Sequence, residues 1–522
     1  MKNNFIKQTA IYTAAIAVSL GAASCSKLDE KVFGSKSIAA ASTGGAASAN
    51  LASVYDATNA LIGQGNWFAL QEHSTDELLG PTRGTDWDDF GTWRKIHLHA
   101  VDGAHNQLFD TWNGINGGLF KATLVAEKGA AADQPAAKFL RAFLATQVMD
   151  LFGQVPYRAA ADGPDVIPAV KTRSEAFDWI MTDLDAAIAG LPSNAAITDS
   201  RKATKQAAQF LKARLLLNKA VYKADPKAPT TFTHAAADMN AAIALVDAIT
   251  ASGKFSLSAN YWDNFVWDNH TKSTEMIYSR GGDGATQLGG TINVNWYTGM
   301  GTHYNQTFSG WNGFTTTADF YNSFPEADKR RQSDIAGYTE LTGFNAGFLA
   351  GQQYKYDNGV KVQVKDRSGS PLVFTSDVSL FFSTESKGIR TMKYPLRADQ
   401  MGFNDENEFV LMRYSDAALM KAEAILRGAT ATGGETALSI VNAIRARSGA
   451  KAMTAVTLND ILAERGRELY LEAVRRPDLI RFGKYNDPVN ERSAKSDAYK
   501  VVYPIPNQAV SSNPNLKQNF GY

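Results

Sequence analysis

Apolar residues recur at three- and four-residue spacing in several stretches of the chain, each closed by turn residues. That pattern predicts paired helices. The first pair begins with Ala136 to Phe152, stopped by Gly153 and Pro156. Its partner starts at Thr172, where Thr172 and Glu175 fit a capping box, and ends at Gly190-Leu191-Pro192. A second pair covers Ala203 to Tyr222 and Thr233 to about Ile249, with Leu211, Leu215 and Asn218 on one face. A third runs from Leu411 to Leu426, closed by Gly428, and from Glu435 to Arg447. The fourth is Leu458 to Val474, followed by a short helical turn near Asp478 to Phe482.

Small residues dot these helices: Ala207, Ala208, Ala213, Ala422 and Ala424. Close helix packing needs such residues, and the arrangement resembles tetratricopeptide-type antiparallel pairs. The expected fold class is therefore dominated by α-helix, with a scaffold over residues 136–250 and 410–485. Between the two halves, from Lys254 to Glu408, Gly, Asn, Thr and aromatic residues replace the helical period. That segment, and another from Gly63 to Val101, reads as long loops with a few short strands. Long irregular insertions on a helical scaffold tend to carry function. Residues 46–522 are expected to form one domain.

The N-terminus has a different character. Lys2 and Lys7 precede an apolar run from Ile11 to Leu20, then Gly21-Ala22-Ala23-Ser24 and the single cysteine, Cys25. This is the layout of a secretory signal peptide over residues 1–24, too short for a membrane-spanning helix. The small residues before Cys25 resemble a bacterial lipobox, although Ala22 stands where Leu is usual. Lipidated Cys25 is then the membrane anchor, and the Ser-, Ala- and Gly-rich stretch to residue 45 is a flexible tether. The acidic pair Asp29-Glu30 resembles a surface-export signal of such lipoproteins. One cysteine excludes a disulfide within the chain. A net charge of +1 gives no electrostatic footprint for nucleic acid.

Several ordered motifs carry a family likeness. Arg413-Tyr414-Ser415-Asp416 leads an apolar run into Ala422-Glu423-Ala424, and Asn442-Ala443-Ile444-Arg445-Ala446-Arg447 follows. Next come Glu464-Arg465-Gly466-Arg467-Glu468-Leu469 and Asp478-Leu479-Ile480-Arg481. The chain ends with Tyr503-Pro504-Ile505-Pro506 and Asn513-Pro514 through Gly521-Tyr522. In the first half stand Arg141-Ala142-Phe143, Gly153-Gln154-Val155-Pro156-Tyr157 and the helix start Arg201 to Ala208. Together these blocks resemble the SusD/RagB family of outer-membrane nutrient-binding lipoproteins. The resemblance implies a surface-exposed lipoprotein that captures an oligo- or polysaccharide for a SusC-like, TonB-dependent transporter. It implies no catalysis and no cofactor. The charges in these blocks sit on or beside amphipathic helices, and buried Arg–carboxylate pairs of that kind fix helix stacking.

Sugars present apolar C–H faces and hydroxyl edges, so a glycan site pairs aromatic rings with Asp, Asn, Arg or Gln. Two loop segments fit: Arg83 to Trp93, preceded by Asp76-Glu77, and Trp296-Tyr297 through His303-Tyr304-Asn305 to Trp311-Asn312-Gly313-Phe314. The resemblance points to Trp87 and Trp311 as stacking platforms, with Tyr304 and Trp296 next. Asp76, Arg83 and Asp86 are expected hydroxyl partners, and Arg390 a further one. The bland alternative is that each Trp fills a gap beneath a loop. Rival readings are a peptide ligand, a glycoside hydrolase using Asp86 and Asp88, and a metal held by His97, His99 and His105. No His-Glu-x-x-His helix accompanies those histidines.

Overall fold

The computed structural model describes residues 49–281, 294–398 and 406–522, apart from residues 195 and 197. The expected signal peptide, Cys25 and the tether lie outside the described residues. Eight longer helices form the scaffold: α1 (Asn106–Lys128), α2 (Gln134–Phe152), α3 (Arg173–Gly190) and α4 (Lys205–Tyr222) in the first half. The rest are α5 (Ala236–Ala251), α6 (Tyr414–Leu426), α7 (Ala437–Arg447) and α8 (Leu458–Leu469). Each packs against the next in chain order from α1 to α7, and α8 returns onto α6. The chain therefore passes from α5 to α6 across the long insertion with no break in the stack.

Local chemistry sets the helix starts. Thr172, Thr436 and Thr457 each build a capping box, with Glu175, Ser439 and Asp460. Thr204 caps α4 by accepting from the Ala207 amide. Gly153, with φ of 71°, closes α2 in the left-handed region. Helix α2, packed between α1 and α3, has Phe139, Leu140, Leu144, Val148, Leu151 and Phe152 fully enclosed. Each such side chain contributes roughly 1.5–3 kcal/mol by leaving water.

Three expectations need correction. The 23-residue helix α1 was not expected. Residues 411 to 413 are not helical: Glu408–Arg413 is a strand paired antiparallel with Met276–Gly281, and α6 begins at Tyr414. The run Phe409-Val410-Leu411-Met412 is buried throughout, and such a run fits strand or helix equally by periodicity. Helix α8 ends at Leu469 rather than Val474, because Leu471 and Ala473 take φ of 56° and 58°. Their amides donate to Glu77 (2.9 Å) and Glu72 (2.6 Å), both buried carboxyls.

The family-motif charges form buried ion-pair networks between helices. Arg413 reaches Glu275, Glu468 and Glu472, and Arg330 reaches Asp328, Glu464 and Glu468. Arg445 pairs with Glu464, Arg465 with Asp416 and Asp478, and Arg481 with Glu423 and Asp478. Burial opposes ionisation of Glu468, but Arg447, Arg413 and Arg330 together hold its carboxyl well below the usual range. These groups staple α6, α7 and α8 together.

Candidate functional site

The two loop segments singled out by their aromatics meet in space. A short helix, Asn295–Gly301, supplies carbonyls to the second segment: Trp311 N donates to Gly299 O (2.7 Å), and Gly313 N and Phe314 N donate to Met300 O (3.0 and 2.8 Å). Trp311 thereby lies with its indole against Gly299, where a Cβ would stand 3.3 Å from the ring. Trp311 remains 43% exposed. Asn312 takes φ of 50°, which Asn tolerates, and turns the chain back inward.

Trp87 sits beside it. It holds φ of 63°, a conformation costing a bulky residue roughly 1–3 kcal/mol. Two backbone bonds between Arg83 and Asp86 (2.8 and 3.0 Å) close the turn immediately before it. The indole Nε1 donates to Trp311 O (2.9 Å), and the ring packs on Gly313, Phe314 and Trp93. Trp87 is half-buried, so much of its surface supports Trp311 and Phe314.

Two buried arginines hold these loops through carbonyl groups. Arg83 donates to the main-chain oxygens of Gly313 (3.0 Å), Thr384 (2.5 Å) and Lys387 (2.9 Å). Arg390 donates to those of Glu385, Lys387 and Gly388 and to Asn312 Oδ1 (2.9 Å). Burial pushes the Arg83 guanidinium down to about 9. Both were expected to meet hydroxyls at the surface; both lie beneath it and bind backbone instead.

The polar edge comes from elsewhere. Tyr304 OH donates to Asp86 Oδ2 (3.2 Å), and one face of its ring lies under the Arg367 guanidinium, 4.5 Å from the centroid. Arg367 also pairs with Glu385, which meets His303 Nε2 at 3.0 Å. Burial raises the Tyr304 hydroxyl pKa, and the Asp86 charge adds to it. Burial lowers His303, outweighing Glu385.

The remaining expected residues lie apart from this edge. Trp296 is only 8% exposed and packs on Phe68, Tyr297 and Phe409, so it is a core residue and not a platform. Asp76 is gripped by Arg475 through two bonds of 2.8 and 2.6 Å, which occupy both carboxylate oxygens. Sequence reasoning missed Arg367, Glu385 and the pair Phe381-Phe382. Phe382 is 85% exposed, and the two rings border an open cleft of about 480 Å³ with Thr82, Asp88 and Arg94. The adjacent Phe-Phe pair in a polar loop was the available signal.

The rival chemistries find little support in the geometry. His97 and His99 do not share a strand face: His97 ends a helix and His99 has φ of 52°. His97 meets the carbonyls of His73 and Asn490, His99 that of Ser74, and His105 that of Thr92. Among the described residues no group of three His, Cys, Asp or Glu is arranged to hold a metal ion. A hydrolytic acid needs a raised pKa. Asp88 is instead held below the usual range by its hydrogen bond to Arg94.

A helix-pair scaffold thus carries an exposed indole beside a mixed polar edge, a candidate ligand site built on loops. The SusD family model matches residues 266–522, and that part of the chain belongs to the SusD family. It is 26% identical over 436 residues to the starch-binding protein SusD of Bacteroides thetaiotaomicron, covering 74% of this chain and 72% of that one. A SusD superfamily protein from Parabacteroides distasonis superposes with a TM-score of 0.70 at 18% identity, over 90% of this chain and 98% of the other. Surface glycan-binding protein A from Bacteroides thetaiotaomicron, solved with laminarihexaose, gives 0.63 at 18% identity with the same coverage.

Proposed function

We propose that this protein captures an oligo- or polysaccharide at the cell surface and breaks no bond in it. The observation that carries the reading is Trp311, an indole backed by Gly299 and left open on a rigid loop. A sugar ring laid on such a face meets the π-cloud with its C–H groups. Its hydroxyls then reach Asp86, Arg367 and Glu385. Relatives named for starch binding and solved with a laminarin oligosaccharide support the ligand class. The same family relationship supports an outer-membrane location, attachment through lipidated Cys25, and transfer of the glycan to a SusC-like, TonB-dependent barrel. Among the described residues no helix is long and apolar enough to cross a membrane.

The test is affinity electrophoresis of the protein lacking residues 1 to 25, run through gels that each contain one polysaccharide. One glycan is expected to retard wild type, and Trp311→Ala to run free in that gel. Stacking contributes roughly 0.5–1.5 kcal/mol per ring beyond buried area, so affinity is expected to be modest. Retardation by no glycan, together with binding of a peptide mixture, refutes the reading in favour of a peptide ligand.

A further inference from the structure

Arg367 stands at the tip of a hairpin whose shape is fixed by its own turn. Asp366 N donates to Ser370 O (2.8 Å), and Asp366 Oδ1 accepts from the amides of Ser368 and Ser370 (2.9 Å each). The carboxylate of Asp366 is thus used within the turn. Asn305 Nδ2 donates to Lys365 O (2.9 Å), which ties the hairpin to the loop carrying Tyr304. The turn therefore aims Arg367 at the aromatic site rather than leaving it to sample solvent.

The guanidinium has a defined set of neighbours. One face covers Tyr304, its Nε pairs with Glu385, and its Nη2 lies 3.5 Å from Asp86 Oδ2. The side chain is still 55% exposed. Five N–H donors in a planar fork exceed what these partners take up. The donors left over face solvent beside Asp86, itself 42% exposed. Donor and carboxylate acceptor side by side suit a pair of adjacent hydroxyls, one accepting from the guanidinium and the other donating to the carboxylate.

The surrounding charges decide what else can bind. Asp86 and Glu385 both lean on this one exposed guanidinium. Arg94 is neutralised by Asp88, and Lys387 by Asp377 at 2.6 Å. Arg83 and Arg390 are buried, and both donate to loop carbonyls beneath the surface, Arg390 to Asn312 as well. An acidic sugar reaching the open donors of Arg367 comes to lie beside the carboxylates of Asp86 and Glu385, at a cost in repelling charge.

We propose that Arg367 is a ligand-contacting, specificity-setting residue of this site, and that its two flanking carboxylates fit the site to uncharged saccharides. This rests on the glycan reading above. Selectivity here works by an unfavourable charge contact against the wrong ligand as much as by attraction for the right one.

The experiment is calorimetric titration with the polysaccharide that retards wild type and with the same polymer oxidised to the carboxylate at its primary hydroxyls. Loss of a hydrogen bond to a charged group predicts about tenfold weaker binding of the neutral polymer by Arg367→Ala. Arg367→Lys, which keeps charge but loses the fork, is expected to fall between. Wild type is expected to bind the oxidised polymer more weakly than its parent, and Glu385→Gln to narrow that gap. Far-ultraviolet circular dichroism confirms that each variant is folded. Wild-type affinity in Arg367→Ala, or equal affinity of wild type for both polymers, overturns the inference while the glycan reading stands. Failure of wild type to bind any glycan sinks both.

Discussion

Replacing Arg413 by Ala strikes the most heavily loaded ion-pair network of the scaffold. The guanidinium lies within 3.0 Å of carboxylates on Glu275, Glu468 and Glu472, and it also donates to Glu468 O at 2.6 Å. Those side chains are all buried. Glu468 retains Arg447 and Arg330, and Glu275 retains Arg447, but Glu472 is left with Lys393 at 3.1 Å. Removing one member of a buried ion pair costs about 3–5 kcal/mol, because the stranded charge has lost its solvent as well as its partner. The sign of the pH dependence follows. Burial raises Glu275 and Glu468, yet the arginines outweigh it and hold both below the ordinary value of 4.5. A depressed carboxyl contributes stability above that value, and the contribution is lost as pH falls through the folded pKa. Arg413→Ala weakens the depression, so its deficit is widest near neutral pH and shrinks as the carboxyls take up protons. Urea unfolding followed by tryptophan fluorescence, at about pH 7 and again at about pH 4.5, measures both terms. Arg413→Met restores much of the lost volume and separates charge from cavity. A deficit under about 1 kcal/mol at neutral pH, or one that widens in acid, refutes this account of the network.

Two further outcomes are expected. In Gly313→Ala the added Cβ falls 2.5–2.6 Å from the Trp87 ring atoms Cζ2 and Cε2. The indole must then leave Trp311 O, destabilising the protein by roughly 1–3 kcal/mol in thermal melts and weakening glycan retardation. Burial pushes the Glu72 carboxyl up to about 7, so its stabilising, protonated state is intact below 4.5 and lost as pH rises through about 7. Glu72→Gln cannot ionise and keeps an acceptor for the Ala473 amide. Its melting temperature is therefore expected to match wild type near about pH 5 and to exceed it above about pH 8; parallel curves across that range contradict the assignment.

The sequence announces its helices where capping and periodicity agree, as at Thr172-Glu175 and Thr457-Asp460. It hides α1 because Gly117 and Gly118 interrupt the pattern. The structure gives the reason for Gly118, where a Cβ would stand 2.8 Å from that of Ala57. Tertiary packing there overrides helix propensity. The aromatic half of the candidate site was legible because Trp87 and Trp311 stand among loop residues, and the structure brings those two side by side. Its polar half was not, since Arg367 and Glu385 reach Tyr304 only through pairings across some 60 to 80 positions of chain. Arg83 and Arg390 show the converse error. A charged residue in a loop invites a surface role, and nothing local reveals that its partners are carbonyls up to 304 positions away.

Those two arginines separate the shape of the loops from their chemistry. A carbonyl oxygen is present at every position whatever side chain is attached, so the grip of Arg83 on residues 313, 384 and 387 reads no side-chain identity. Arg390 grips 385, 387 and 388 in the same way. The outward-facing residues of these segments are therefore open to replacement without refolding the loops beneath them. The fold provides a fixed frame with interchangeable lettering, and a different surface chemistry can arise by rewriting the letters alone.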